Sequence, residues 1–367
     1  MTQQMNSPFL FYAHEVSYFS GKVRPALRYK RVPFAELLCT PDVFRRVILP
    51  RTGLGFIPIV VTPEDETWQD TSDILDALEA RFPDPPLMPM TPLQRVVALL
   101  WEIYADEFLI LPAMHYRWST AEGETKARGD FSSGSGNPVN SNAFADKMSG
   151  SLLALGVLPE TQSVIEAHTH DLLDLLEAHF SSTPYLLGSK PSLADCALMG
   201  PFYGHLFLDA VPGRLLRERA PRTCHWINRM NCPDPEAVGA WIEDDGLAPT
   251  LRPLLELIGR DAVPLLLDGL RDFETWADNR PEEHRDAPPR ATGFHQTSLR
   301  EVAFTRYTNA YSLWLATRLF DAMAELDEAA RNRVEAALAG TGCEPLAQYR
   351  PRHRIIKRKF KLAFENS

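Results

Sequence analysis

The sequence predicts a two-part chain, an α/β domain followed by an all-α region. Three observations carry this. Over the first ninety residues short apolar runs alternate with helical stretches in the order βαβ then ββα. A proline-rich connector, Pro83 to Pro92, follows. Beyond it, apolar residues recur at helical rather than alternating spacing. A chain of 367 residues exceeds one ordinary core, so the organisation reads as residues 1–88, 89–260 and a further helical extension, 261–367.

Phe9 to Ala13 is a short apolar strand, and the polar turn His14 to Ser17 leads into a helix from about Ser20 to Lys30, with Pro25 inside it. Pro33 to Leu38 alternates, and Asp42 to Val47 suits a short helix. Ile57 to Val61 and Thr67 to Gln69 flank a polar turn and read as a hairpin. Asp70-Thr71-Ser72-Asp73 then caps an amphipathic helix carrying Ile74, Leu75, Leu78 and Phe82.

Composition narrows the functional classes. The formal net charge of -10 disfavours a general nucleic-acid binder, which needs a concentrated basic surface. One local exception is the tail Arg350 to Lys361, with seven Lys or Arg residues; it reads as a solvated helix end or disordered tail, or as a segment docking on the acidic body. No stretch approaches the roughly 20 apolar residues of a membrane span, and the N-terminus lacks the pattern of a signal peptide, so a cytoplasmic protein is expected. Five scattered cysteines without a C-x-x-C pair suggest neither a disulfide framework nor a metal site.

The segments Gly55-Phe56-Ile57-Pro58-Ile59-Val60-Val61 and Trp68-Gln69-Asp70-Thr71-Ser72-Asp73-Ile74-Leu75 resemble the N-terminal domain of the glutathione transferase family. The resemblance implies a thioredoxin-like glutathione-binding domain followed by a glutathione-transferase-type helical bundle. In that family the proline opening the third strand is cis, here Pro58, and it leaves the backbone of Ile57 free to pair with glutathione as an added strand. The γ-glutamyl end would sit at Asp70 and Thr71. The helix start and the Thr71 hydroxyl favour its carboxylate, and the Asp70 carboxylate meets its ammonium. Both residues also read as simple helix caps.

Ser17-Tyr18-Phe19-Ser20 stands where thioredoxin-like redox proteins carry C-x-x-C, so dithiol chemistry is disfavoured. The segment resembles the first helix of serine-type transferases, with Ser17 at the catalytic serine's place. A hydroxyl donating to the glutathione sulfur stabilises thiolate over thiol, and each unit of pKa lowering is about 1.4 kcal/mol. Tyr12, at the end of the first strand, and Tyr18 are its competitors for that role.

In the second part, Val96, Val97, Leu100, Ile103, Tyr104 and Phe108 follow helical spacing. By resemblance this helix helps line the substrate pocket, which makes Tyr104, Phe108, His115 and Trp118 pocket candidates as well as core residues. Ser119 to Asn142 is polar and small, and reads as a mobile insertion, disordered or a lid. Pro184 to Asp195 holds Ser192 and Asp195 at N-capping spacing and resembles the capping motif of the family's helical domain. In the extension, Ala262 to Asn279 and Ser298 to Leu319 read as helices, with Tyr307, Tyr311 and Trp314 on nearby faces of one helix.

The function these features imply is an enzyme that activates the thiolate of glutathione, its cosubstrate, against a small apolar electrophile. Conjugation, lyase, isomerase or dehalogenase outcomes all fit. The resemblance further implies a homodimer. The alternative is a non-catalytic glutathione-binding or interaction module on the same fold.

Overall fold

The computed structural model describes residues 7–135 and 138–365, and the side chains of 134–140 are outside that description. Strand β1 (Phe9–Ala13) leads into a helix, Tyr18–Tyr29, capped by Ser17 and continuing through Pro25. Strand β2 (Phe34–Leu38) runs parallel to β1. An irregular helical stretch from Pro41 to Thr52 precedes β3 (Ile59–Val61) and β4 (Thr67–Gln69), both antiparallel to their neighbours. The sheet order is β2-β1-β3-β4, and the helix Thr71–Arg81 follows. This is the mixed βαβ-ββα sheet of a thioredoxin-like domain.

The period of two along β1 decides which side chains face which layer. Phe9, Phe11 and Ala13 enter the main core with Val23, Leu27, Ile74 and Leu78 from the two helices. Leu10 and Tyr12 face the other way, onto Cys39, Ile48, Ile59 and Val61.

The first helix packs against a central helix of the second domain, Leu193–Pro201. Two glycines permit this approach. A Cβ at Gly21 would lie 3.0 Å from the Met199 carbonyl oxygen, and one at Gly200 would lie 3.2 Å from the Tyr18 ring. The central helix starts at the expected capping pair. The Asp195 carboxylate accepts from the Ser192 N–H at 3.0 Å, the Ser192 hydroxyl at 2.8 Å, the Leu186 N–H at 3.0 Å and the Trp226 indole N–H at 3.0 Å.

Several expectations are corrected. Ser119 to Asn142 does not form a loop: helices Ala121–Ser135 and Pro138–Ser149 cover most of it, and Gly136 and Asn137 lie outside the described residues. Apolar Ala127 and Ala145, both buried, explain how so polar a stretch packs. Residues 298–319 are not one helix. Strands β5 (Gly293–Leu299) and β6 (Val302–Thr308) form a hairpin there, and the helix is Ala310–Ala324. Tyr307 is therefore on a strand, apart from Tyr311 and Trp314. The basic tail is neither a helix end nor disordered: β7 (Ile355–Arg358) and β8 (Lys361–Phe364) pair as a second hairpin.

The extension also shares the core of the helical region. One apolar cluster runs through all three predicted parts. Asp261, at the expected boundary, ends the helix Leu251–Asp261 and accepts a bond from His168 Nδ1 at 2.8 Å, with Arg300 Nε at 2.9 Å. Among the described residues no helix is long and apolar enough to cross a membrane.

Candidate functional site

The sheet register brings the predicted binding residues to one end. Tyr12 pairs with Ile59, so the chain leaving β1 toward Ser17 emerges where β3 begins. Ile59 pairs in turn with Gln69, which carries Ile57 and Pro58 alongside Asp70 and Thr71. The Ile57–Pro58 peptide is cis. Segments that are distant in sequence, around Ser17, Ile57 and Asp70, thus meet at the same sheet edge.

Ser17 caps the first helix and is half-buried. Its Oγ accepts from the Ser20 N–H at 3.3 Å, which leaves its own proton free to donate. The turn before it is held by the second domain. Arg117, buried, donates to the Val16 carbonyl at 3.0 Å and pairs with Asp209 at 2.8 Å. Phe131 of the inserted helices stands edge-on to His14 at 6.2 Å and tilted by 32° against Trp118 at 6.1 Å. Burial pushes the His14 imidazole below its ordinary pKa, against the pull of Asp130.

The rival tyrosines are placed differently. Tyr18 turns inward, where its hydroxyl donates to the Ala105 carbonyl and its ring meets His205 at 5.4 Å. Burial first, then Asp106, holds its phenol well above the usual range. Tyr12 lies in the cluster beneath the sheet, as the strand period requires. Of the three hydroxyls, that of Ser17 is the one that caps the first helix.

Asp70 takes φ 77°, a conformation that costs a non-glycine residue about 1–3 kcal/mol and clusters at functional sites. Its Oδ1 accepts from the Ser72 N–H at 3.0 Å. The Thr71 Oγ1 is buried and has no hydrogen-bond partner. Ser72 reaches the other way, to Glu102 at 2.7 Å, and joins a buried network in which Lys22 meets Glu102 at 2.8 Å and Asp106 at 2.5 Å. This network ties the candidate binding edge to the second domain.

Three of the four predicted substrate-pocket residues lie in the helical core. Tyr104 and Phe108 stack at 5.6 Å deep in the helical core, and the Tyr104 hydroxyl meets His168 Nε2 at 2.7 Å. His115 is buried beside Glu166, at 2.9 Å. Only Trp118, through Phe131, borders the Ser17 side. Helical spacing could not separate these outcomes, because it marks an apolar face without saying what packs against it. A small cavity of about 20 Å³ lies under the extension, lined by Glu107, His295, Arg306, Tyr307, Thr308 and Ser312 among others. Among the described residues no cluster of His, Cys, Asp or Glu is arranged to hold a metal ion.

The site also includes residues that the sequence reading left out. Lys357 of β7 places its Nζ 3.2 Å from Asp70 Oδ2 and 2.7 Å from Asp73 Oδ2, over the Trp314 ring at 3.4 Å from its centroid. Arg290 lies over Phe56 at 4.6 Å, on the loop before Pro58. The available signal was complementary charge: the acidic series Asp70, Asp73 and Asp76 lines the start of one helix, and the tail is basic.

Comparison with known proteins agrees with this architecture. Residues 11–86 match the model of the glutathione S-transferase N-terminal domain, and residues 160–232 that of the C-terminal domain. Similar solved structures include a glutathione S-transferase from Rhodospirillum rubrum F11, at 17% identity over 67% of this chain and 91% of that one, with a TM-score of 0.42. The beta-etherase LigF from Sphingobium sp. strain SYK-6 is 17% identical over 63% of this chain and 98% of that one, with a TM-score of 0.43. A glutathione S-transferase from Methylobacterium radiotolerans, in complex with glutathione sulfonate, is 21% identical over 65% and 99%, with a TM-score of 0.40. No curated protein matches the chain. With both domain models matched in order on a thioredoxin-like sheet and a helical partner, residues 11–86 and 160–232 carry the N- and C-terminal domains of the glutathione S-transferase family.

Proposed function

We propose that the protein binds glutathione and acts as a transferase-like enzyme, with Ser17 polarising the thiol toward thiolate for attack on a small apolar electrophile. The observation that carries this is the convergence of Ser17, the Ile57–Pro58 segment and Asp70-Thr71 on one sheet edge. In this reading the tripeptide backbone runs along Ile57, and its γ-glutamyl end reaches Asp70 and the helix start, whose free N–H groups favour a carboxylate. The Ser17 hydroxyl and the first helix N-terminus then face the sulfur, and both favour the anion. Trp118 and Phe131 form the apolar side on which an electrophile would approach.

A cytoplasmic setting is part of the proposal, supported by five free cysteines of which four are buried. A homodimer is implied by the resemblance. It would have to form without the outer faces of helices Thr71–Arg81 and Pro92–Ile103 that Arg318 and Glu325 of the extension engage through Asp76 and Arg95.

Calorimetric titration with glutathione tests the binding, and absence of binding at millimolar concentration overturns it. In Ser17→Ala the affinity stays nearly intact while the bound thiol's pKa rises by about one unit, or ~1.4 kcal/mol; an unchanged pKa removes Ser17 from the mechanism. The second reading, a non-catalytic module, is favoured by Lys357 occupying Asp70. It predicts binding without turnover of any electrophile.

A further inference from the structure

The C-terminal hairpin covers the position that the glutathione reading reserves for a ligand. Its anchor is apolar: Ile355 and Phe364 are buried, and Phe364 stacks on Phe273 at 6.4 Å, with the Arg280 guanidinium over the Phe364 ring at 4.1 Å. From this anchor the strand carries Lys357 to the helix start at Asp70. There the Lys357 ammonium has two carboxylates and the face of Trp314, and its side chain is only 10% exposed. With Ser72 N–H on Oδ1 and Lys357 on Oδ2, both oxygens of Asp70 are engaged. Thr71 Oγ1 beside it is out of reach of solvent, and Tyr311 packs close to Asp70 on the same side.

An ammonium beside Asp70 is what a γ-glutamyl group would supply. We propose that the C-terminal hairpin is a self-occupying strap, in which Lys357 takes the place of the ligand's ammonium, and that glutathione binds the form from which the strap has been released. The inference rests on the glutathione reading of this edge. A strap of this kind is releasable on physical grounds. A two-stranded hairpin has little stability of its own, and here each strand has only four residues. The ion pair it would break is largely but not wholly buried, and the ligand's own ammonium replaces it at the same carboxylate. The apparent affinity for glutathione is then the intrinsic one multiplied by the fraction of open chains.

The test uses the full-length chain and calorimetric titration with reduced glutathione. Lys357→Met keeps the length of the side chain over Trp314 and removes the charge, and it binds glutathione about tenfold more tightly or better than wild type. Lys357→Arg keeps the charge and stays close to wild type. Should Lys357→Met fold poorly, Asp73→Asn, at a half-exposed position, loosens the same contact and shifts affinity in the same direction. Saturating glutathione also speeds amide exchange across Ile355–Phe364 in wild type. If Lys357→Met binds as wild type does, or more weakly, the strap is wrong and the glutathione reading stands. If no variant binds at millimolar glutathione, the glutathione reading falls and the strap falls with it.

Discussion

Replacing Lys22 by Met breaks the buried charge network that joins the first helix to the second domain. Lys22 is fully buried, and so are its two carboxylate partners, Glu102 and Asp106. Glu102 keeps other support, from the Ser72 hydroxyl at 2.7 Å and Arg318 at 3.1 Å, whereas Asp106 has its second oxygen unpartnered. Removing one partner of such a pair costs about 3–5 kcal/mol, because the remaining charge stays out of water. Asp106 limits that cost by taking up a proton. Burial, reinforced by the neighbouring Glu102, already holds its carboxyl above the usual range despite Lys22. Each pH unit by which solution exceeds the pKa of a neutralised carboxyl adds only about 1.4 kcal/mol. The expected loss at neutral pH is therefore near the lower end, about 3 kcal/mol, a large share of a typical stability of 5–15 kcal/mol.

The sign of the pH dependence follows from the same group. A carboxyl whose folded pKa is raised binds its proton more tightly when folded, so its contribution is lost as pH rises through that value. Without Lys22 the pKa rises further, and the gap between variant and wild type widens with pH. Urea unfolding followed by tryptophan fluorescence at about pH 5.5 and 7.5 reads both quantities. A loss below about 1 kcal/mol, or a gap that is the same at the two pH values, would refute this account of the network.

Two further outcomes are expected. Asp195→Ala orphans four buried donors, from Ser192, Leu186 and Trp226, at roughly 1–3 kcal/mol each before relaxation, so the protein should lose about 4 kcal/mol or more; a urea midpoint within error of wild type would show that water replaces the carboxylate. Acid should destabilise the contact between the helical region and the extension at His168–Asp261. Burial holds the His168 imidazole below its ordinary pKa; at Asp261 burial pushes up, but His168, Arg260 and Arg300 outweigh it and hold the carboxyl low. Both groups bind fewer protons when folded, so stability falls as pH drops below about 6.5 for the histidine and below about 4 for the carboxylate. Thermal midpoints across that range, with His168→Gln flattening the upper part, check it, and a midpoint that holds steady in acid contradicts it.

Local patterns sufficed for much of the fold. Strand alternation, the proline before β3 and the hydroxyl and acidic caps at Asp70 and Ser192 act over a few residues, and each element formed within a few positions of its expected place. The failures were at positions where partners are remote. The polar 121–149 segment becomes helical through contacts its composition does not advertise. Residues 293–308 fold as a hairpin because each strand alternates buried and exposed side chains.

The candidate site divides in the same way. The sequence by itself determined the thioredoxin-like order, the Ile57-Pro58 and Asp70-Thr71 pair and the absence of a cysteine at Ser17, because these are properties of short segments and of family resemblance. Tertiary structure alone decided where the two rival tyrosines pack. The strand period sends Tyr12 to the lower layer, and the helix register turns Tyr18 to Ala105. It alone also showed that Lys357, 287 positions after Asp70 in the numbering, meets that carboxylate. An electrostatic pair of such sequence separation leaves no spacing to read, since its geometry is created only when the extension packs down on the domains before it.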